Sequence, residues 1–231
     1  MTTDAKTTFP TAGNAMSRRA FLGTAAAGVG LVVLGQIAGP FGSVAHAQGG
    51  ATAQRIADHF ASVRTMMGEF VQFGPRGEQT GGKFYIERPG KVRFNYEPPA
   101  NFKVTSDGTT VVLENTKLQT ADIYPLSRTP LKLLLDNRID LSGNKVRSVK
   151  EENDLTTIQL ADRSAFGNSV ITMMFDPTSF DLRQWTITDA QGKDTTVMIF
   201  NVQQGVTFDP SVFAIDNRKV QEMQKRNHNR N

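Results

Sequence analysis

The chain of 231 residues is 39 % hydrophobic, has no cysteine, and sets 26 lysines and arginines against 22 acids for a net charge of +4. The missing thiols exclude a disulfide framework and a lipid carried on an N-terminal cysteine. Three histidines leave few ligands for a transition-metal site, and no basic groove with interleaved aromatics points to nucleic acid.

Ser17-Arg18-Arg19-Ala20-Phe21-Leu22 forms a twin-arginine pattern. A weakly apolar, glycine-rich run from Gly23 to Gly39 follows, and then Ala45-His46-Ala47 supplies the small residues of a signal-peptidase site. Gly35, Gln36 and Pro40 interrupt the run, which falls short of the roughly 20 apolar residues of a membrane span. Residues 1–47 are therefore expected to be a twin-arginine-type signal that is removed, leaving an unanchored protein in the periplasm that begins near Gln48. With them go Lys6, Arg18, Arg19 and Asp4, so the remainder is nearly neutral. It is long enough for one domain with a substantial core.

Thr52 to Met67 reads as an amphipathic helix. Ile56, Phe60, Val63 and Met67 recur at steps of three and four, Thr52 is a fair N-cap and Gly68 a stop. Glu69–Phe73 opens a succession of strands. From Gly81 to Gly108 two alternating strands meet at Pro89-Gly90, and a third ends at Asp107-Gly108. Side chains alternate along a strand, so Phe84, Ile86 and Arg88 share one face, and Val92, Phe94 and Tyr96 repeat the pattern. That face is apolar with a single arginine at its rim. Thr110–Glu114 and Lys117–Tyr124 continue the series. After an interruption come Val146–Glu152, Leu155–Leu160, Ser169–Phe175, Leu182–Thr188 and Thr195–Val202. About eleven strands in sequential hairpins predict a mainly β fold (α+β class). It is one large antiparallel meander, strongly curved into a barrel-like shape.

The interruption is Ser127-Arg128-Thr129-Pro130-Leu-Lys-Leu-Leu-Leu-Asp136. An N-cap threonine followed by proline predicts a helix from Pro130 to about Asn137. Leu131, Leu134 and Leu135 lie on one face and Leu133 on the other. Such a helix needs cover. It is either a permanent filler of the core or a lid over the concave face. Beyond Arg218, five basic residues (Arg218, Lys219, Lys225, Arg226, Arg230) accompany one acid, Glu222. Residues 218–231 are expected to be a solvated, disordered tail, with contact to an anionic membrane or partner as the sharper alternative.

Catalytic chemistry is scarce. His59 sits on the first helix with no glycine-rich nucleophile elbow nearby, the carboxylates lie mostly at turns or outward strand positions, and no phosphate-cradling loop occurs. An enzyme is the weaker expectation, and no cofactor or metal is implied. The inward set, Phe84, Ile86, Val92, Phe94, Phe102, Val104, Ile171, Met173, Phe175, Trp185 and Ile187, serves either as plain core or as a surface for an apolar guest.

Phe84-Tyr-Ile-Glu-Arg88-Pro89-Gly90, the aromatic strand Phe94-Asn-Tyr-Glu-Pro-Pro99, Ser106-Asp107-Gly108 and Pro125-Leu-Ser-Arg-Thr129-Pro130-Leu-Lys-Leu-Leu-Leu135 occur in this order. In order and spacing they closely resemble the LolA family of periplasmic lipoprotein carriers. The likeness runs on through Trp185 to Phe200 and Phe208-Asp209-Pro210 to Phe213, over residues 48–217. It implies an open half-barrel of eleven strands with an N-terminal helix and a short helical lid. The concave face would hold the acyl chains of a lipoprotein, with Phe84, Ile86, Val92, Phe94, Phe102, Val104, Met173, Phe175 and Trp185 lining it. Leu131, Leu134 and Leu135 would form the lid. Arg88 matches the family arginine that hydrogen-bonds the lid in the empty, closed state. The implied partners are acylated lipoproteins, an inner-membrane lipoprotein-releasing ABC transporter, and an outer-membrane receptor or the outer membrane directly, the carrier itself being a monomer. Carriage of another lipid or glycolipid, or a lipoprotein-sensing regulatory module, are the alternatives.

Overall fold

The computed structural model describes residues 44–141, 145–164 and 167–228. Residues 1–43, with the twin-arginine run, lie outside them. The chain begins with helix α1 (Val44–Ser62) and the strands β1 (Thr65–Phe73), β2 (Gln79–Glu87), β3 (Lys91–Tyr96), β4 (Phe102–Asp107), β5 (Thr110–Asn115) and β6 (Thr120–Pro125). A 3-10 turn (Leu126–Arg128) and helix α2 (Leu131–Leu135) lead into β7 (Val146–Glu151), β8 (Thr156–Ser164), β9 (Gly167–Phe175), β10 (Leu182–Thr188) and β11 (Asp194–Gln204). A second 3-10 turn (Pro210–Phe213) and helix α3 (Asn217–His228) close the chain.

All eleven strands join one antiparallel sheet in the order β6-β5-β4-β3-β2-β1-β11-β10-β9-β8-β7. The two meanders, β1 to β6 and β7 to β11, are stitched by β1 against β11, with Phe70 opposite Ile199 and Gln72 opposite Val197. The sheet is open, with β6 and β7 as its edges. This topology explains where α2 lies. The chain must travel from one edge strand to the other, and so it crosses a face of the curved sheet. It crosses the apolar, concave one: Leu133, Leu134 and Leu135 join the same buried cluster as Phe84, Ile86, Val92, Met173 and Phe175. The core lies between that face, α1 and α2.

Three expectations need correction. Helix α1 ends at Ser62 rather than Met67, and it starts at Val44 rather than Thr52, so that Ala45-His46-Ala47 lie within it. Its buried face is Ala53, Ile56, Ala57 and Phe60. Val63 makes the closing bond to the His59 carbonyl (3.2 Å), and the Arg64 carbonyl is then claimed by the Arg88 amide at 2.8 Å, which draws the chain into the sheet. Met66 is thereby the buried methionine, by strand alternation with Phe70. Gly68 is no helix stop. It sits at a bulge in the β1–β11 pairing, where an added Cβ would stand 2.8 Å from the Phe200 carbonyl oxygen.

The second correction concerns α2, which has five residues. Thr129 does not cap it; its hydroxyl donates to the Leu126 carbonyl oxygen at 3.0 Å instead. Leu133, expected to face outward, is buried together with Leu134 and Leu135, while Leu131 is half-buried. Thirdly, residues 217–228 form α3 rather than a disordered tail. Val220 and Met223 bury against Val112 of β5 and Ala121 of β6, on the convex face. Two apolar residues three apart are one helical contact face, too short a pattern to stand out in the sequence. Lys219 adds an ion pair to Glu114 at 3.0 Å. Among the described residues no helix is long and apolar enough to cross a membrane.

Candidate functional site

The site is built around two turns that pack on one another. Gly90, after Arg88-Pro89, has φ +81°, and Gly108, after Ser106-Asp107, has φ +109°, conformations natural to glycine. A Cβ on Gly90 would lie 2.8 Å from the Gly108 Cα, so the turns touch backbone to backbone. The buried Ser106 hydroxyl donates to the Gly90 carbonyl oxygen at 2.8 Å. Asp107 shapes its own turn by accepting from the Thr109 and Thr110 amides, both at 2.9 Å. The two short motifs are thus halves of one platform.

That platform holds α2. The Gly90 amide donates to the Leu135 carbonyl oxygen at 2.9 Å, and Arg88 Nε donates to the Leu134 carbonyl oxygen at 3.2 Å. Both satisfy carbonyls that the end of a helix leaves without partners. Arg88 Nη1 donates to the Val63 carbonyl oxygen at 2.7 Å, and the guanidinium lies 3.9 Å over the Phe60 ring, a cation–π contact. Arg88 therefore ties α2 to the segment that follows α1. It is only 4 % exposed, so it stands inside the molecule rather than at a rim. Burial pulls its pKa down to about 10, and it stays charged at neutral pH. One donor, Nη2, is buried with no partner, which makes the closed arrangement costly as well as held.

Beside α2 the concave face is not filled. A cavity of about 180 Å³ is lined by Gln72, Phe94, Tyr96, Val104, Leu113, Leu131, Trp185, Ile187, Thr195 and Val197. Its floor is aromatic: Phe70 meets Phe94 and Tyr96 edge-on at 5.1 and 5.0 Å, and Phe94 lies 6.2 Å from Trp185. Burial pushes the Tyr96 phenol up to about 12, and its hydroxyl donates to Gln72 Oε1 at 2.6 Å. Leu113, 39 % exposed, brings the cavity to the surface. Pockets for drug-sized ligands span roughly 300–1,000 Å³, so this space is too small for a long acyl chain while α2 stays down.

Of the residues expected at the concave face, Phe94, Val104 and Trp185 line this cavity, with Leu131 of α2 on its wall. Phe84, Ile86, Val92, Met173 and Phe175 share the buried cluster with Leu133, Leu134 and Leu135. Phe102 is 50 % exposed and touches Tyr96 edge-on at 6.3 Å, outside the cavity lining. Lining residues that sequence reasoning missed are Gln72, Leu113, Thr195 and Val197. Leu113 and Val197 carry the alternation signal. Gln72 and Thr195 are polar and become visible only through strand pairing.

Elsewhere, His59 Nε2 and Asp181 Oδ1 are 2.9 Å apart and tie α1 to the β9–β10 loop. Gln204 Nε2 donates to the same oxygen at 2.7 Å, so His59 has a structural engagement. Among the described residues no group of three or more His, Asp or Glu side chains is placed to hold a metal.

The sequence profile described as outer membrane lipoprotein carrier protein LolA matches residues 61–216. An outer-membrane lipoprotein carrier protein of Methylococcus capsulatus is 27 % identical over 169 residues, covering 69 % of this chain and 80 % of the relative. One from Chromobacterium violaceum is 28 % identical over 182 residues, covering 75 % and 86 %. Among solved structures, a LolA superfamily protein of Nitrosomonas europaea aligns with a TM-score of 0.40 at 10 % identity, over 71 % of this chain and 98 % of that one. The profile match spans most of the folded region and takes in both turns, α2 and the cavity walls, and on it the chain belongs to the outer membrane lipoprotein carrier protein LolA family.

Proposed function

We propose that this protein shields the acyl chains of lipoproteins on its concave face and carries them across the periplasm. It would receive them from an inner-membrane ABC transporter and deliver them to an outer-membrane receptor or to the outer membrane itself. Residues 1–47 serve as a removed twin-arginine-type signal, and the carrier domain follows from residue 48. The observation that carries this reading is the buried Arg88 guanidinium holding the Leu134 carbonyl beside an apolar cavity. Each methylene taken out of water is worth about 0.8 kcal/mol, so a chain of acyl length needs a dry trough to cross an aqueous space. An empty trough is itself unfavourable. Here Leu133, Leu134 and Leu135 occupy much of it.

In this reading α2 is the lid and Arg88 its latch. Cargo displaces the leucines and breaks the bonds from Arg88 and Gly90. Release restores both, so closure favours unloading. The lid residues Leu131, Leu134 and Leu135 exchange places with acyl chains against Phe84, Ile86, Val92, Phe94, Val104, Met173, Phe175 and Trp185. The test is native mass spectrometry of the protein taken from the periplasm. A co-purified triacylated polypeptide supports the reading; a free lipid or glycolipid in its place transfers the function to that cargo.

A further inference from the structure

Helix α3 turns its apolar residues, Val220 and Met223, onto β5 and β6. At 100° per residue, Arg218 and Lys225 then point directly away from the sheet, and Lys219 and Arg226 share one flank. Arg218, Lys225 and Arg226 are exposed. Glu222, the one acid of the helix, sits within one turn of all three, yet no described ion pair joins it to any of them. Lys219 is committed to Glu114, but Lys103 bonds the same carboxylate at 3.1 Å, so that triad also leaves one positive charge over. On the same face of β6, Ile123, two residues along from Ala121, is 38 % exposed. The outer side of α3 is therefore a cationic ridge on which Arg218, Lys225 and Arg226 have no ion-pair partner among the described residues.

Its position gives the ridge a use. Val112, under α3, and Leu113, in the cavity wall, are consecutive residues of β5, so the ridge and the cavity lie back to back across one sheet. Next to them is β6, an open edge of that sheet. We propose that α3 is a docking surface for an anionic phospholipid bilayer, which lays the convex side of β5 and β6 against the membrane and leaves the cavity, on the other face, unobstructed. A broad, laterally continuous negative surface matches cations spread over two sides of a helix. Protein–protein interfaces, by contrast, favour aromatic anchors and are depleted in lysine, and α3 presents no aromatic residue. The proposal goes beyond carriage of cargo and does not depend on what the cavity holds.

The test is flotation of the purified protein with vesicles of phosphatidylcholine alone, or with roughly 30 % phosphatidylglycerol, at low salt and at about 0.15 M. Binding is expected to the anionic vesicles only and to fall with salt. The triple variant Arg218→Gln, Lys225→Gln, Arg226→Gln leaves Val220, Met223 and Lys219 in place, so α3 should stay docked, as circular dichroism checks. At about fivefold per charge, its affinity for the anionic vesicles should drop on the order of 100-fold. Its retention of lipoprotein in solution should not change, which separates this surface from the cargo site. Equal binding to both vesicle types, or anionic binding untouched by the triple variant, overturns the proposal. So does a folded protein that ignores anionic vesicles and is retained by an acidic polypeptide, a result that would assign the ridge to a protein partner.

Discussion

Arg88 Nε reaches the Leu134 carbonyl oxygen at 3.2 Å, and beside the Gly90 amide, which donates to the Leu135 carbonyl oxygen at 2.9 Å, it joins the β2–β3 turn to the end of a helix that is otherwise held mainly by apolar contact. A hydrogen bond from a charged group contributes about 1.5–3 kcal/mol, which is roughly ten- to a hundredfold in the balance between a seated and a lifted α2. Arg88→Leu removes this bond, the bond to the Val63 carbonyl and the contact with Phe60, a loss offset in part because a desolvated charge with one unpartnered donor goes with them. The variant should fold and should release lipoprotein to acceptor membranes about tenfold more slowly than the wild type or worse. Timed transfer measures this, and equal or faster release would count against the latch.

Gly90→Ala attacks the platform rather than the latch. Its φ of +81° and the 2.8 Å approach to Gly108 leave an alanine both strained and crowded. A loss of about 1–2 kcal/mol or more is expected, read as a lower midpoint in urea. Gly192→Ala is a control for backbone conformation alone, since its φ is +75° but nothing lies within 4 Å of an added Cβ. It should lose less.

The leucines of α2 should separate by role. Leu134 is 0 % exposed, and Leu134→Ala should cost about 2–5 kcal/mol, as buried leucine truncations do. Leu131 is half-buried on the cavity wall, and Leu131→Ala should cost under about 1.5 kcal/mol, by partial loss of the transfer term, while enlarging the space. An apolar fluorescent probe should then bind the Leu131 variant more tightly than the wild type.

Docking of α3 should depend on pH through Glu114. Burial, the largest influence on this carboxyl, pushes its pKa up. The hydrogen bonds and charges of Lys219 and Lys103 outweigh that and hold it below the usual glutamate range. A carboxylate with a depressed folded pKa stabilises above its unfolded value, and the contribution fades as pH falls through the folded one. Amide protection in α3, corrected for intrinsic exchange, should therefore hold through the ordinary glutamate range and decline as the pH falls below it. In Glu114→Gln it should be lower at neutral pH and nearly flat over the same fall in pH.

The sheet was legible in the sequence because alternation is a local signal: Phe84, Ile86, Val92, Phe94 and Trp185 each sit where a period of two puts them. What joins the halves was not. Gln72 and Val197 stand opposite each other although β2 to β10 lie between them in the chain, and no local pattern records such a pair. Gln72 and Thr195 were therefore missed as cavity residues. The end of α1 failed for a different reason. Met67 continues the helical spacing of Phe60 and Val63, but backbone bonding of Arg64 to Arg88 overrides it. In α3 the basic residues masked a two-residue apolar face, and in α2 the shortness of the helix defeated the division of its leucines into inner and outer.

A carrier of this kind must bring acyl chains to lie beside Trp185, the only tryptophan of the chain, buried to 1 % exposure and lining the cavity. The direct measurement is its fluorescence during titration with a lipopeptide whose acyl chains carry bromine, a contact quencher. Strong quenching by the brominated lipopeptide, absent with its unbrominated twin, is the predicted result. A lipopeptide that binds without quenching Trp185 would contradict the account.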